Sequence, residues 1–452
     1  LSVAVRADIA TIRPAARLRG DLELPGDKSI SHRALLLAAL AAGESRIAGS
    51  GDGADVRSTA ALVASLGVAV ERLNETGRTV DYRVVSPGDE GLREPDGVLD
   101  CGNSGTTLRL GAGLLAGLPG YAVLDGDGSL RRRPVARIIE PLRSMGAELR
   151  ARCEDSLPPL TVAGRRPLRA IEVTTPVPSA QVKSAILLAA LRAAGRTVVR
   201  EAVTTRDHTE RMLRARGIPV TRQEAGDDAA PVAVAWSIEG GSSVRAIEEQ
   251  VPGDVSAAAF WLVAGAVHPD AELRLRQVGV NPTRRAVIDI LGAMGADIVE
   301  IGAGAADDGV GEPTADLIVR TSRLRAVDIG PAEVAAAIDE IPVICLAATQ
   351  AAGTTRIRGA GELRHKESDR LAGVAAGLAV LGARVDVDGD DLTIVGGARL
   401  TGAATDSLDD HRLAMTFAIA GLLARGETTV AHPGSADISY PGFFADLEGV
   451  GA

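Results

Sequence analysis

Residues 61–70 read ALVASLGVAV, and the same phrase returns along the chain: an apolar helical stretch, a glycine, then a short alternating strand. It reads EPLRSMGAEL at 140–149, RMLRARGIPV at 211–220, DILGAMGADI at 289–298 and LAVLGARVDV at 378–387. A truncated sixth copy, FFADLEGVGA, occupies 443–452. The glycines fall at Gly67, Gly146, Gly217, Gly295, Gly382 and Gly449. Leu or Met three or four residues apart gives a helix one apolar face, and the glycine supplies a left-handed C-cap. The V-x-V or E-L-x pattern that follows is a half-buried strand. Helix–glycine–strand joints are common in α/β proteins, but six near-copies argue for repeated strand–helix units over one Rossmann sheet. Six units divide into two groups of three, so the expected architecture is α/β, two similar domains with a cleft between them.

Composition narrows the function. At 46% hydrophobic and 24% charged, the 452 residues can build more than one core, and with 2% aromatic residues that core must be Ala, Val, Leu and Ile. No apolar run is long enough to span a bilayer, and the N-terminal stretch lacks the apolar centre of a secretion signal. Cys101, Cys153 and Cys345 form no CxxC pair, which points to a reducing cytosol. A net charge of −10 argues against a nucleic-acid coat, so clusters of Arg and Lys are sites. Only three of the 49 Lys and Arg residues are lysines: Lys28 in LPGDKSISHRA, Lys183 in PSAQVKSAI and Lys366 in LRHKESDRLA. Where lysine is this scarce, each one is a candidate for a place that needs a compact ammonium.

The motifs around them suggest anion chemistry. Lys28, Ser29 and Arg33 lie near a helix start, with Ser29 or Ser31 as cap; a capped helix with solvated charges fits as well as an anion site. GNSGTT, 102–107, is a small polar turn feeding a helix that contains Arg109, and Gly105 lets a ligand approach the backbone. Arg131, Arg132 and Arg133 precede Pro134 at another helix start. Ser179 and Gln181 open a helix, and Arg206 follows in TTRDHTE. Asp339 and Glu340 precede a very apolar helix, where the dipole would favour them as caps in any case. Lys366 and Arg370, one turn apart with Glu367 between, are expected to share a helix face, and Arg412 heads one more apolar helix. Phosphate and carboxylate ligands suit such a collection. The six histidines show no metal-ligand spacing, and no Ser–His–Asp or Cys–His arrangement can be read, so no metal or cofactor is indicated.

Taken in order, GDKSISHRA, GNSGTTLR, SAQVKSA, RDHTE, NPTR (Asn281 to Arg284), Asp339–Glu340 with Pro342, LRHKESDR and DHRLAM closely resemble the 5-enolpyruvylshikimate-3-phosphate synthase family. The match runs from Pro25 to Pro441. The resemblance implies transfer of the carboxyvinyl group of phosphoenolpyruvate to the 5-hydroxyl of shikimate-3-phosphate, on the route to chorismate and the aromatic amino acids. It implies two domains of three βαβαββ units each, inverse α/β barrel-like: residues 25–248, and 1–24 joined to 249–452. A cytoplasmic monomer binding two small molecules, without nucleic acid or membrane, is expected.

Carried over motif by motif, Lys28, Asp339 and Glu367 resemble the catalytic groups. Lys28, Ser29, Arg33, Ser179, Ala180, Gln181, Arg206, Asp339 and Lys366 resemble contacts to shikimate-3-phosphate. Lys28, Asn103, Gly105, Arg133, Gln181, Arg370 and Arg412 resemble the phosphoenolpyruvate clamp. Asp339 is the expected base for the hydroxyl, Glu367 the acid/base at C3 of the vinyl group, and Lys28 the stabiliser of charge near the leaving phosphate.

There are departures. Some members carry a further phosphoenolpyruvate-binding lysine where this chain has Ile438, and an asparagine where it has His32. Gly105 keeps the small residue that admits glyphosate, whereas GDKS, SAQVK, RDHTE and NPTR resemble the branch with tolerant forms; partial tolerance is expected. One alternative is the sister enzyme that uses UDP-N-acetylglucosamine and presents a reactive loop cysteine, for which none of the three cysteines has the context. The other is an inactive anion-binding relative, which would have lost Lys28, Asp339 or Glu367.

Overall fold

The computed structural model describes residues 3–6, 8–175, 177–224, 234–302 and 309–451. Two kinds of helix alternate along it. Lys28–Leu40, Gly105–Ala116, Ala180–Ala190, Val255–Val267, Ile341–Gln350 and His411–Leu423 are buried over most of their length. Their residues are apolar nearly all round, as a helix packed on every side requires. Between them run the amphipathic helices Ala54–Ser65, Ala136–Ser144, His208–Ala215, Ala286–Ala293, Arg370–Val380 and Phe443–Val450.

Five of the amphipathic helices end on the glycine read from the sequence. Gly67, Gly146, Gly217, Gly295 and Gly382 have φ between 83° and 106°, which L side chains resist. At Gly146 its N–H donates to the Arg143 carbonyl (2.8 Å) and the Ala147 N–H to the Leu142 carbonyl (3.2 Å), closing a left-handed C-cap. The sixth copy departs from this reading, because Gly449 lies inside Phe443–Val450 and caps nothing. The cause is topological: the edge strand that follows the helix in the other repeats is here Val3–Arg6, from the opposite end of the sequence.

Among the described residues, six four-stranded sheets share one plan. A leading strand runs parallel to the strand after the buried helix, and two antiparallel strands complete the sheet. In one, Leu99–Asp100 is parallel to Gly120–Asp125, Leu157–Gly164 pairs antiparallel with it (Leu160 opposite Leu124), and Glu148–Ala151 forms the edge (Ala151 opposite Leu160). In the sixth, Val3–Arg6 and Ile9–Ile12 complete a sheet with Thr428–Ala431 and Ala404–Asp406. Two leading strands are exchanged. Leu18–Glu23 precedes the first buried helix but pairs with Ala271–Gly279, while Glu248–Gln250 precedes Val255–Val267 but pairs with Gly43–Gly51.

The chain therefore divides into two compact units of three repeats. The first is Lys28–Val251 with Asp307–Glu312; the second is Leu1–Asp27, Pro252–Ala306 and Pro313–Ala452. Each has its own core, mainly aliphatic in the first unit around Leu35, Leu110 and Leu187, with Tyr82 and Trp236 buried in it. The second adds Phe260, Trp261, Tyr440 and Phe443, with ring centroids 5.4 to 6.3 Å apart. Each fully buried Leu or Phe contributes about 1.5–3 kcal/mol. Among the described residues no helix is long and apolar enough to cross a membrane.

Candidate active site

A helix buried on every side keeps polar groups only at its ends, and its unsatisfied N–H groups make the N-terminal end an anion site. Five of the six buried helices carry motif residues there, Val255–Val267 being the exception. In the first unit, Lys28 opens its helix and donates to Asp55 Oδ2 at 3.0 Å, Asp55 being in the first turn of Ala54–Ser65. Ser29 and Ser31 lie within the helix and do not cap it; Ser31 Oγ accepts from the Gly51 N–H (3.0 Å). Arg33 is 3% exposed and donates to the Ser29 carbonyl and to the hydroxyls of Thr209 and Ser184, each at 2.8 Å.

The glycine turn is propped from below. A buried chain runs from His32 Nδ1 to Thr59 Oγ1 (2.6 Å), to Thr107 Oγ1 (2.7 Å), to Ser104 Oγ (2.8 Å), so the His32 imidazole anchors the turn. Ser104 caps Gly105–Ala116 by accepting from the Thr107 N–H at 3.0 Å. Asn103 Oδ1 accepts from Arg133 at 2.9 Å. Behind the turn Arg109 donates to Gln181 Oε1 (2.7 Å) and the Pro134 carbonyl (3.0 Å), while Gln181 donates to Thr106 Oγ1 (2.9 Å). A Cβ on Gly105 would lie 2.8 Å from Arg109 Nη1 and 3.4 Å from Arg133 Nη1, so only glycine leaves both guanidiniums where they are. Ser179 caps Ala180–Ala190, accepting from the Val182 N–H at 3.4 Å. Arg206 is half-buried in the loop between Arg196–Glu201 and His208–Ala215.

The second unit gathers charges of both signs. Asp339 Oδ1 lies 3.3 Å from Lys366 Nζ and 3.4 Å from Arg370 Nη1. Arg370 also donates to Glu367 Oε2 (2.6 Å) and Asp410 Oδ2 (2.8 Å). Burial opposes the Arg370 charge, but Glu367, Asp410 and Asp339 outweigh it and hold its pKa above the ordinary arginine value. Burial likewise opposes the Asp410 charge, and Arg370 reverses the balance, keeping that carboxyl below its usual range. Arg412 donates to the Ser256 carbonyl at 3.2 Å. Glu340 is hydrogen-bonded to Ser256 and lies 3.1 Å from Arg284, the arginine of NPTR.

Several expectations change. Lys366 and Arg370 do not share a helix face, because Asp369 caps the helix by accepting from the Ala372 N–H (3.0 Å) and leaves Lys366 outside it. They meet through Asp339 instead. Glu340 occupies the N-cap position without a side-chain capping bond, so capping does not account for it. Lys183 is sealed in the interior among carboxylates. Ile438 ends the 3-10 turn Pro433–Ile438, so that position offers no cation. Asp55, Arg109, Ser256, Arg284, Glu340 and Asp410 were not assigned as site residues. Asp410 could have been found from its N-cap position before an apolar run, whereas Asp55 and Ser256 belong to contacts between distant segments and leave no local signal.

A family model described as EPSP synthase (3-phosphoshikimate 1-carboxyvinyltransferase) matches residues 12–447. A 3-phosphoshikimate 1-carboxyvinyltransferase from Gloeobacter violaceus is 52% identical over 438 residues, covering 97% of this chain and 98% of its own. One from Roseiflexus sp. is 50% identical over 440 residues, with the same coverage. The solved EPSP synthase of Acinetobacter baumannii superposes with a TM-score of 0.85 at 38% identity, covering 98% of both chains. On sequence and fold together, the chain belongs to the EPSP synthase family.

Proposed function

We propose that this chain is a 3-phosphoshikimate 1-carboxyvinyltransferase, moving the carboxyvinyl group of phosphoenolpyruvate to the 5-hydroxyl of shikimate-3-phosphate. The observation that carries the reading is a pair of partly exposed carboxylates held beside cations: Asp339 and Glu367, 21% and 19% exposed, around Lys366 and Arg370. The 5-hydroxyl adds to C2 of phosphoenolpyruvate while C3 gains a proton, and the tetrahedral intermediate then loses phosphate as C3 gives one up. Two proton-transfer groups are needed, and positioned carboxylates supply them. Asp339 takes the hydroxyl proton; Glu367 delivers and retrieves the proton at C3. Lys28 stabilises charge at, and protonates, the departing phosphate.

Ser29, Arg33, Ser179, Ala180, Gln181 and Arg206, with Asp339 and Lys366, hold shikimate-3-phosphate in this reading. Asn103, Gly105, Arg133, Gln181, Arg370 and Arg412 hold phosphoenolpyruvate. The two substrates bring roughly five to six negative charges, which suits seven such cations offset by two acids. The enzyme works as a cytoplasmic monomer.

The sugar-nucleotide alternative needs a reactive thiol. Burial pushes the thiols of Cys101 and Cys345 up to about 12, so neither supplies a thiolate at neutral pH, which leaves the exposed Cys153 as that alternative's candidate. Phosphate release from phosphoenolpyruvate, assayed with shikimate-3-phosphate or UDP-N-acetylglucosamine as acceptor, tests the proposal. Release should require shikimate-3-phosphate and vanish in Glu367→Gln and Lys28→Met. Release with the sugar nucleotide alone refutes it, and tight shikimate-3-phosphate binding without release identifies an inactive relative.

A further inference from the structure

Lys183 takes no part in the steps above, yet it is buried in a network of charged and polar partners. It lies one turn into Ala180–Ala190 and is fully buried. Its ammonium is 2.8 Å from Glu201 Oε2, 2.9 Å from Glu210 Oε1, 3.5 Å from the Thr205 carbonyl and 5.0 Å from the centre of the Trp236 ring. Glu201 is held again by Trp236 Nε1 (3.0 Å) and by the Thr205 hydroxyl. Removing one ammonium and two carboxylates from water is expensive, and an apolar residue would suit this helix at no such cost. What the charges supply is direction.

The segments joined at Lys183 are those that carry the candidate phosphate ligands. One is the helix capped by Ser179. Another is the end of Arg196–Glu201 and the loop through Thr205 to Arg206. The third is His208–Ala215, which holds Glu210. Beside Lys183 and Glu210 on two of these helices, Ser184 and Thr209 hydrogen-bond each other at 2.7 Å, and both accept from Arg33. Ser179, Arg206 and Arg33 are thus referenced to one buried polar seam. We propose that Lys183 is a positioning residue for the phosphate of shikimate-3-phosphate, fixing Glu201 and the Thr205 carbonyl and thereby where Arg206 stands relative to Ser179 and Arg33. The inference rests on the reading, given under Proposed function, that these three residues hold that phosphate. An arginine could not replace it, because a planar five-donor fork does not fit a point between converging oxygens.

The test measures shikimate-3-phosphate binding by calorimetry without phosphoenolpyruvate, and KM for each substrate, in the full chain and in Lys183→Met. Affinity for shikimate-3-phosphate should weaken about tenfold or more, while KM for phosphoenolpyruvate at saturating shikimate-3-phosphate moves less than about threefold. Lys183→Arg should not rescue. Unchanged shikimate-3-phosphate affinity, or equal losses for both substrates, overturns the proposal. If Lys183→Met does not fold, Thr205→Val and Glu201→Gln carry the same test, and unchanged affinity in both overturns it. A parent chain that binds no shikimate-3-phosphate refutes the site assignment itself; a parent and variant that bind it equally refute only the role of Lys183.

Discussion

The helix ends of the two units hold their arginines differently. In the first unit Arg33, Arg109 and Arg133 reach neutral oxygens: two hydroxyls, two carbonyls and the side-chain amides of Gln181 and Asn103. In the second, Arg370 reaches the carboxylates of Asp339, Glu367 and Asp410, and Arg284 that of Glu340, while Arg412 reaches the Ser256 carbonyl. Hydroxyls, carbonyls and amides orient a guanidinium without adding negative charge. One set among carboxylates leaves the local charge near balance and puts proton acceptors at hand. The first arrangement suits anion binding, the second proton transfer, with the Lys28–Asp55 and Arg211–Asp207 pairs as places where the first unit borrows the design of the second.

The sharpest way to break this contrast is kinetic. Glu367→Gln and Asp339→Asn should each lower kcat by about 10²–10⁴ with little change in KM, the range for removing a general acid or base. Steady-state kinetics in both substrates checks it; a rise in KM with kcat intact would place these carboxylates with the binding groups. Next comes stability. Arg370→Met leaves Glu367 and Asp410 facing one another without their shared cation, which should cost about 3–5 kcal/mol in urea unfolding. Arg133→Met, at a half-buried edge, should cost under about 1 kcal/mol. Equal losses would mean that the two kinds of arginine do not differ as argued.

A smaller effect is expected at Gly105. The methyl of Gly105→Ala must displace Arg109, which is pinned by Gln181 and the Pro134 carbonyl, so the disturbance passes to Gln181. KM for phosphoenolpyruvate should rise about tenfold, with glyphosate inhibition weakened alongside. Inhibition as strong as in the parent chain would sink the steric argument.

The sequence made the repeat plan readable because a helix, a glycine at positive φ and a half-buried strand all leave local marks, as at Gly67 and Gly382. It misread Gly449, since no local mark shows that the strand completing that sheet lies at residues 3–6. The same split runs through the site. Lys28, Ser179, Asp339 and Arg412 announce themselves at helix starts. Asp55 does not, because its role exists only where two segments 27 residues apart meet. Spacing suggests that Lys366 and Arg370 share a helix face, whereas a third residue, Asp339, joins them across a helix cap.

The smallest prediction asks whether the charge beside the second unit's helix ends is felt inside the fold. His411, 2% exposed and next to Arg412, has its pKa pushed down to about 3, by burial first and then by that guanidinium. In the unfolded chain it titrates near its ordinary value of 6.5. Between these values the unfolded chain holds the extra proton, so stability is fully present above pH 6.5 and falls with pH by up to about 1.4 kcal/mol per unit. Asp410 acts in the same direction, but only around and below its ordinary 3.8. Burial raises the carboxyls of Glu210, Glu249 and Asp254, whose contributions have the opposite sign and are lost as pH rises. For that reason the informative quantity is the difference in slope between the parent and His411→Asn, from urea unfolding at pH 4.5, 5.5 and 6.5. The variant should be flatter by about 1.4 kcal/mol per pH unit. Parallel curves would mean that His411 takes its proton in the folded state, and that Arg412 is too well compensated to repel it.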